Sequence, residues 1–244
     1  MRDLNGNIIK LFAALFMLLD HAGLLLFPDI PVFRYLGRLA MPLYAFLISE
    51  GALHTGNKLK YFLEIFLMGA ACQSVYIAEE LITYGIRSIY LNILITFSFS
   101  LLIIFPFIKF KEYYQKKVNK KAYLYFTLFI LSLSFAVFFE ALSKNSLNLL
   151  NISLKTDYGI MGILLPLGAS LFKEKNRRIL CFTLFLVLFN LYLMPTMPYT
   201  WFSLLTIPFI VLYNGKRGKK KYKYAFYLFY PLHLAVLYLI AAII

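Results

Sequence analysis

Apolar residues in this chain of 244 come in long unbroken blocks, separated by short polar stretches that carry most of the charge. A helix needs about 20 apolar residues to cross the hydrocarbon of a bilayer. Nine blocks approach that length: residues 8–27, 32–54, 59–82, 89–108, 122–142, 158–172, 178–195, 199–214 and 224–243. A membrane barrel would instead alternate apolar and polar positions over segments of about ten residues. The pattern therefore predicts an all-α polytopic membrane protein with about nine transmembrane helices, eight to ten being compatible with the blocks. The sixth and eighth blocks are short and hold proline or glycine, so their ends are least determined. The first block is long and has no small-residue cleavage site, so it reads as a span and not as a cleaved leader.

Composition agrees with the pattern. The chain is 61% hydrophobic and 15% charged, against roughly 45–50% apolar usage in soluble domains. The loops are too short for a separate soluble domain and no internal repeat is visible, so residues 1–244 read as a single transmembrane domain. A net charge of +14 would suit a nucleic-acid partner, but its placement argues for lipid. Twenty of the 25 lysines and arginines fall at the N-terminal end or in alternate loops: Arg2, Lys10, Lys58, Lys60, and the basic residues of 109–121, 173–178 and 216–223. The opposite side receives Arg34, Arg87, Lys144 and Lys155. By the positive-inside rule the N-terminus is cytoplasmic and the C-terminus outside.

The chemistry lies within the blocks. The three histidines are His21 in FMLLDHAGLLLF, His54 in AFLISEGALHTGN and His233 in FYLFYPLHLAVL. Ionisable groups in hydrocarbon are costly and mark sites or water-filled paths. Asp20 precedes His21 directly, Arg38 lies in the second block at a depth similar to His21, and Glu50 and His54 form an i, i+4 pair on one helix face. Each has a plainer reading. Asp20–His21 suits a structural pair, Arg38 a snorkelling side chain, Glu50–His54 a solvated interface, His233 a helix-bridging hydrogen bond, and Tyr230 ordinary aromatic packing. In the loop 213–224, Asn214, Lys216 and Arg217 suit either anionic lipid or a tight turn that receives a phosphorylated ligand. Asp157 reads as a helix N-cap or, with Tyr158, as a contact for an acceptor. Cys72 and Cys181 read as packing residues, and no HExxH spacing points to a metal.

LLDHAGLLLFP, FRYLGRLAMPLYAFLISEGALHTGN, DYGIMGILLP, LYNGKRG and FYLFYPLHL, in that order, resemble the TraX family of integral-membrane proteins. The resemblance spans nearly the whole chain. It implies a membrane-embedded acetyltransferase of the bacterial cell membrane, since the family's namesake acetylates conjugative pilin. The donor would be cytoplasmic acetyl-CoA or another acyl-CoA, with no metal, and the acceptor a peptide or glycan amine or hydroxyl on the outer side. On that reading His21, Asp20, Arg38 and His233 are the catalytic candidates. Glu50, His54, Asn214, Lys216 and Arg217 are candidates for holding the donor, and Asp157, Tyr158 and Tyr230 for meeting the acceptor. A multi-pass transporter would use similar intramembrane charges, and an export or assembly partner would need no acyl chemistry.

Overall fold

A computed structural model of the chain describes residues 4–83, 88–145, 153–219 and 223–243. Arg2, Arg87, Lys220 and Lys221 of the charge pattern lie outside the described residues. Contacts group the chain into two compact units, one of residues 1–47 with 174–244 and one of residues 48–173.

The first unit opens with helix α1, Gly6–Leu25, whose N-cap Asn5 accepts from the amides of Asn7 and Ile8. The chain turns through Pro28 into a short helix α2, Pro31–Gly37, and resumes as α3, Ala40–His54. The second predicted span is thus broken at Arg38–Leu39. Pro42 explains the break: it has no N–H to give the carbonyl four residues back, that of Arg38, and its ring clashes there. Proline is tolerated in the first turn of the new helix, where amides lack intrahelical partners anyway. Helix α8, Lys175–Leu193, leads to a 3-10 helix, Pro198–Thr206, and a short α9, Ile207–Leu212. The eighth predicted span is therefore a composite. Its buried hydroxyls turn back on the backbone, Thr200 to Met197 O at 2.9 Å and Thr206 to Ser203 O at 2.7 Å, while Asn190 of α8 donates to Ser203 Oγ at 2.9 Å. Helix α10, Lys223–Ile243, packs against α1.

Two glycines bring α1 and α2 close. A Cβ on Gly37 would run into the Asp20 carboxyl, and one on Gly23 would meet Phe33 Cβ at 2.5 Å. Small residues are the usual means of close helix approach in membranes. At the start of α1, the chain is fastened to the loop after α9. Gly6 N donates to Lys216 O at 2.7 Å, Asn7 Nδ2 to Lys219 O at 2.9 Å, and Asn214 N to Leu4 O at 2.9 Å.

The second unit holds the end of α3, then α4, Lys58–Thr83, α5, Ile93–Gln115, α6, Asn119–Asn145, and α7, Gly159–Ser170. α5 and α6 form a hairpin zipped by ring pairs such as Phe107–Phe129 at 5.3 Å and Phe110–Phe126 at 5.2 Å. Two short strands, β1 Ser88–Leu91 and β2 Ser153–Thr156, pair in parallel with Ser88 opposite Ser153. The fourth predicted span accordingly begins as a strand. Asn92 makes the switch to helix by capping α5 at Leu94 N and Ile95 N while donating to Gly69 O at 2.8 Å.

Four helices among the described residues are long and apolar enough to cross a membrane: Gly6–Leu25, Ile93–Gln115, Asn119–Leu142 and Lys175–Leu193. Shorter apolar helices cover Gly159–Ser170, Pro198–Leu212 and Leu228–Ile243. At 1.5 Å per residue, the 12 residues of α7 rise only about 18 Å, well short of a hydrocarbon core of roughly 30 Å. The fold is a helical membrane architecture with four full-length candidates; the expected nine do not all reach that length.

Candidate functional site

The polar residues of α1 find their partners on α10 and around α2. His21 Nδ1 lies 2.8 Å from His233 Nε2, and the two rings stack at 5.0 Å. His233 Nδ1 lies 2.8 Å from the carbonyl oxygen of Phe229, one turn back on α10. A carbonyl can only accept, so His233 Nδ1 carries the proton. In the neutral ring its Nε2 is then an acceptor, and His21 Nδ1 must be the donor to it. Two hydrogen bonds in series thus fix both tautomers, leaving the lone pair of His21 on Nε2. His233 is 5% exposed, and its ring lies between the Phe229 ring at 4.9 Å and the Tyr230 ring at 6.0 Å.

The other side of this level is ionic. Asp20 binds Arg38 through Oδ1 and Arg34 through Oδ2, the latter at 2.9 Å, and Arg34 also donates to the Asp20 carbonyl at 3.1 Å. Arg38 is 5% exposed. The Arg38 guanidinium also faces the ring of Tyr199 at 5.6 Å, a cation–π contact from the 3-10 helix. Tyr35 of α2 in turn stacks on Phe202 at 4.6 Å. One carboxylate thus stands between two guanidiniums, one residue away from His21. Charged residues on successive helix positions diverge by about 100°, which is why Asp20 serves the arginines while His21 faces α10.

Arg34 and Tyr199 were missing from the sequence-derived set. Arg34 counted only as an outer-loop charge, although its i, i+4 spacing from Arg38 in FRYLGR was a usable signal. Nothing local marks Tyr199.

Other candidates stand elsewhere. In the first unit, Asn214 Oδ1 accepts from Lys216 N at 2.9 Å, forming a turn in which Gly215 has φ +78°, a left-handed backbone that favours glycine. Lys216 and Arg217 are exposed. Glu50, His54, Asp157 and Tyr158 belong to the second unit. His54 Nδ1 donates to Glu50 O at 2.9 Å and lies 3.8 Å from Glu50 Oε2. The helix N-cap expected at Asp157 is a correction: α7 is capped by Tyr158, with φ 60°, and no side chain caps it. Asp157 is held one step earlier by the strand, its amide donating to Leu91 O at 3.1 Å. Among the described residues no group of three or more His, Cys, Asp or Glu is placed to hold a metal ion.

The family model described as TraX protein matches residues 5–241, from the cap of α1 almost to the end of α10. The chain belongs to the TraX family. It is also 27% identical over 257 residues to the "Probable fimbrial assembly protein FimC, serogroup H1" of Dichelobacter nodosus, covering 96% of this chain and 95% of that protein. No solved structure matches. The matched residues take in both members of the histidine pair, which lie 212 residues apart in this chain.

Proposed function

We propose that this TraX-family chain is an acyltransferase of the bacterial cell membrane, moving an acetyl group from cytoplasmic acyl-CoA to an amine of a pilin-like acceptor. The observation that carries the reading is the fixed His21–His233 tautomer chain, which aims an imidazole lone pair away from its partner. A general base must hold such a lone pair near the proton that it takes.

In the reaction, the neutral acceptor amine attacks the thioester carbonyl carbon and a C–N bond forms. His21 Nε2 takes the amine proton. The tetrahedral intermediate collapses with loss of the C–S bond, and the proton passes to the departing thiolate, giving the amide and free CoA. The cluster of Asp20 with Arg34 and Arg38 supplies a preorganised charge for the oxyanion, a contribution worth several kcal/mol in a dry site. His21 lies fifteen residues beyond Gly6, about 22 Å along α1 from the basic end of the unit. On this reading that end is cytoplasmic, so the pantetheine arm of the donor spans the interval.

The relative's printed name, with its fimbrial assembly, favours a peptide amine over a glycan hydroxyl. It equally supports a second reading, an assembly partner that does no acyl chemistry. Mass spectrometry of envelope polypeptides separates the two, comparing cells with the wild-type gene, with no gene and with His21→Ala. The enzyme reading expects an acetyl mass on a surface polypeptide that is lost in both deficient strains. An assembly function fully preserved in a correctly inserted His21→Ala chain, with no acetyl mass in any strain, sinks it.

A further inference from the structure

Beside the loop that follows α9 the first unit holds an open pocket of about 120 Å³. Its floor is apolar, formed by Phe46, Ile179 and Ile210, and its rim carries Lys175, Arg178 and the Asn214–Gly215 turn. Among the described residues no acidic side chain lines it. The nearest carboxylate in sequence, Glu174, is bound to Arg177 at 3.0 Å.

Both cations are held in place. Lys175 Nζ donates to the carbonyls of Val211, at 2.8 Å, and Tyr213, the last residue but one of α9 and the residue that caps it. The Arg178 guanidinium lies over the Phe46 ring at 5.5 Å, and Phe46 is wedged edge-on between Phe182 and Tyr213. A guanidinium held by its face keeps its donors in the plane, where they suit the paired oxygens of a phosphoryl group. A Cβ built on Gly215 would meet nothing within 4 Å, so the rim is open beside the turn. Lys175, Arg178 and Ile179 share one face of the first turn of α8, whose N-terminus adds a favourable dipole for an anion.

We infer that this pocket binds a phosphoryl group attached to an apolar or aromatic body, with Lys175 and Arg178 as its anion contacts. The inference does not depend on acyl transfer. The phosphoryl group has two possible sources, a soluble diphosphate ester or an anionic lipid headgroup.

The test uses the full chain in phosphatidylcholine nanodiscs, titrated calorimetrically with inorganic diphosphate. Binding should weaken about tenfold in Arg178→Gln and less than about twofold in Arg177→Gln, which removes an equal charge just outside the pocket. Ile179→Trp, which fills the cavity and keeps both cations, should also lose binding if Arg178→Gln proves unstable. In a second arm, nanodiscs containing phosphatidylglycerol are analysed by native mass spectrometry. Retention of one anionic lipid by the wild type but not by Arg178→Gln, without diphosphate binding, assigns the pocket to a headgroup. Equal losses in Arg177→Gln and Arg178→Gln, or no dependence on Arg178 for either probe, overturn the inference.

Discussion

His21 and His233 owe their relation to one carbonyl. Phe229 O accepts from His233 Nδ1, and that single bond dictates which nitrogen of His21 holds a proton. Replacing His233 should therefore act through His21. Gln at 233 keeps an acceptor oxygen for His21 Nδ1–H, whereas Leu removes it and lets the ring change tautomer. In an acetyl-transfer assay on isolated membranes, His233→Leu should lose about 10²-fold or more and His233→Gln distinctly less; equal rates in the two variants would show that the tautomer does not matter. The sequence marked both histidines as polar intruders in apolar blocks. That they meet was not legible, because no local pattern encodes contact across 212 residues. Asp20 illustrates the same limit. Its carboxylate was visible as a feature, but its partners Arg34 and Arg38 follow from the approach of α1 to α2, which depends on Gly37 lacking a Cβ.

At the level of elements, that glycine has a measurable consequence. A methyl or larger group at 37 lands on the Asp20 carboxyl, so either the helices part or the ion pairs break. Gly37→Ala should cost roughly 1–3 kcal/mol, the range for inserting carbon into a packed contact, and Gly37→Leu more. Thermal unfolding in detergent reads the loss, and no change in midpoint for Gly37→Leu would contradict the close approach. The blocks of apolar sequence located α1, α4, α6, α8 and α10 closely, because continuous hydrophobicity over twenty residues is a strong signal, while α5 starts later and runs seven residues past its block. Breaks within blocks were harder to read. Pro42 severs α2 from α3 and its mechanism is local, yet its effect depends on which carbonyl stands four residues earlier. The strand at 88–91 is set by pairing with 153–156, far away in the chain. The pocket cations Lys175 and Arg178 were read only as loop charge, since their common floor is built from α3, α8 and α9.

For the whole molecule, the decisive observation is the fastening of residues 4–7 to 213–219. It places the start of α1 and the basic loop after α9 at the same end of the first unit, in keeping with the charge pattern that set both on one side. Single cysteines introduced at Asn7 and Lys216, in a chain with Cys72 and Cys181 replaced, should behave alike toward a membrane-impermeant maleimide. Both should resist it in intact cells and react after permeabilisation; labelling of one but not the other in intact cells would break the shared-face assignment.

The distance in sequence between the two imidazoles also sets an order on biogenesis. The ribosome releases the first of them early and the second near the finish, so a growing copy of this chain carries half of the pair until α10 has been made. If the chain is the acyltransferase proposed for it, a nascent copy stays silent until that late pairing is made.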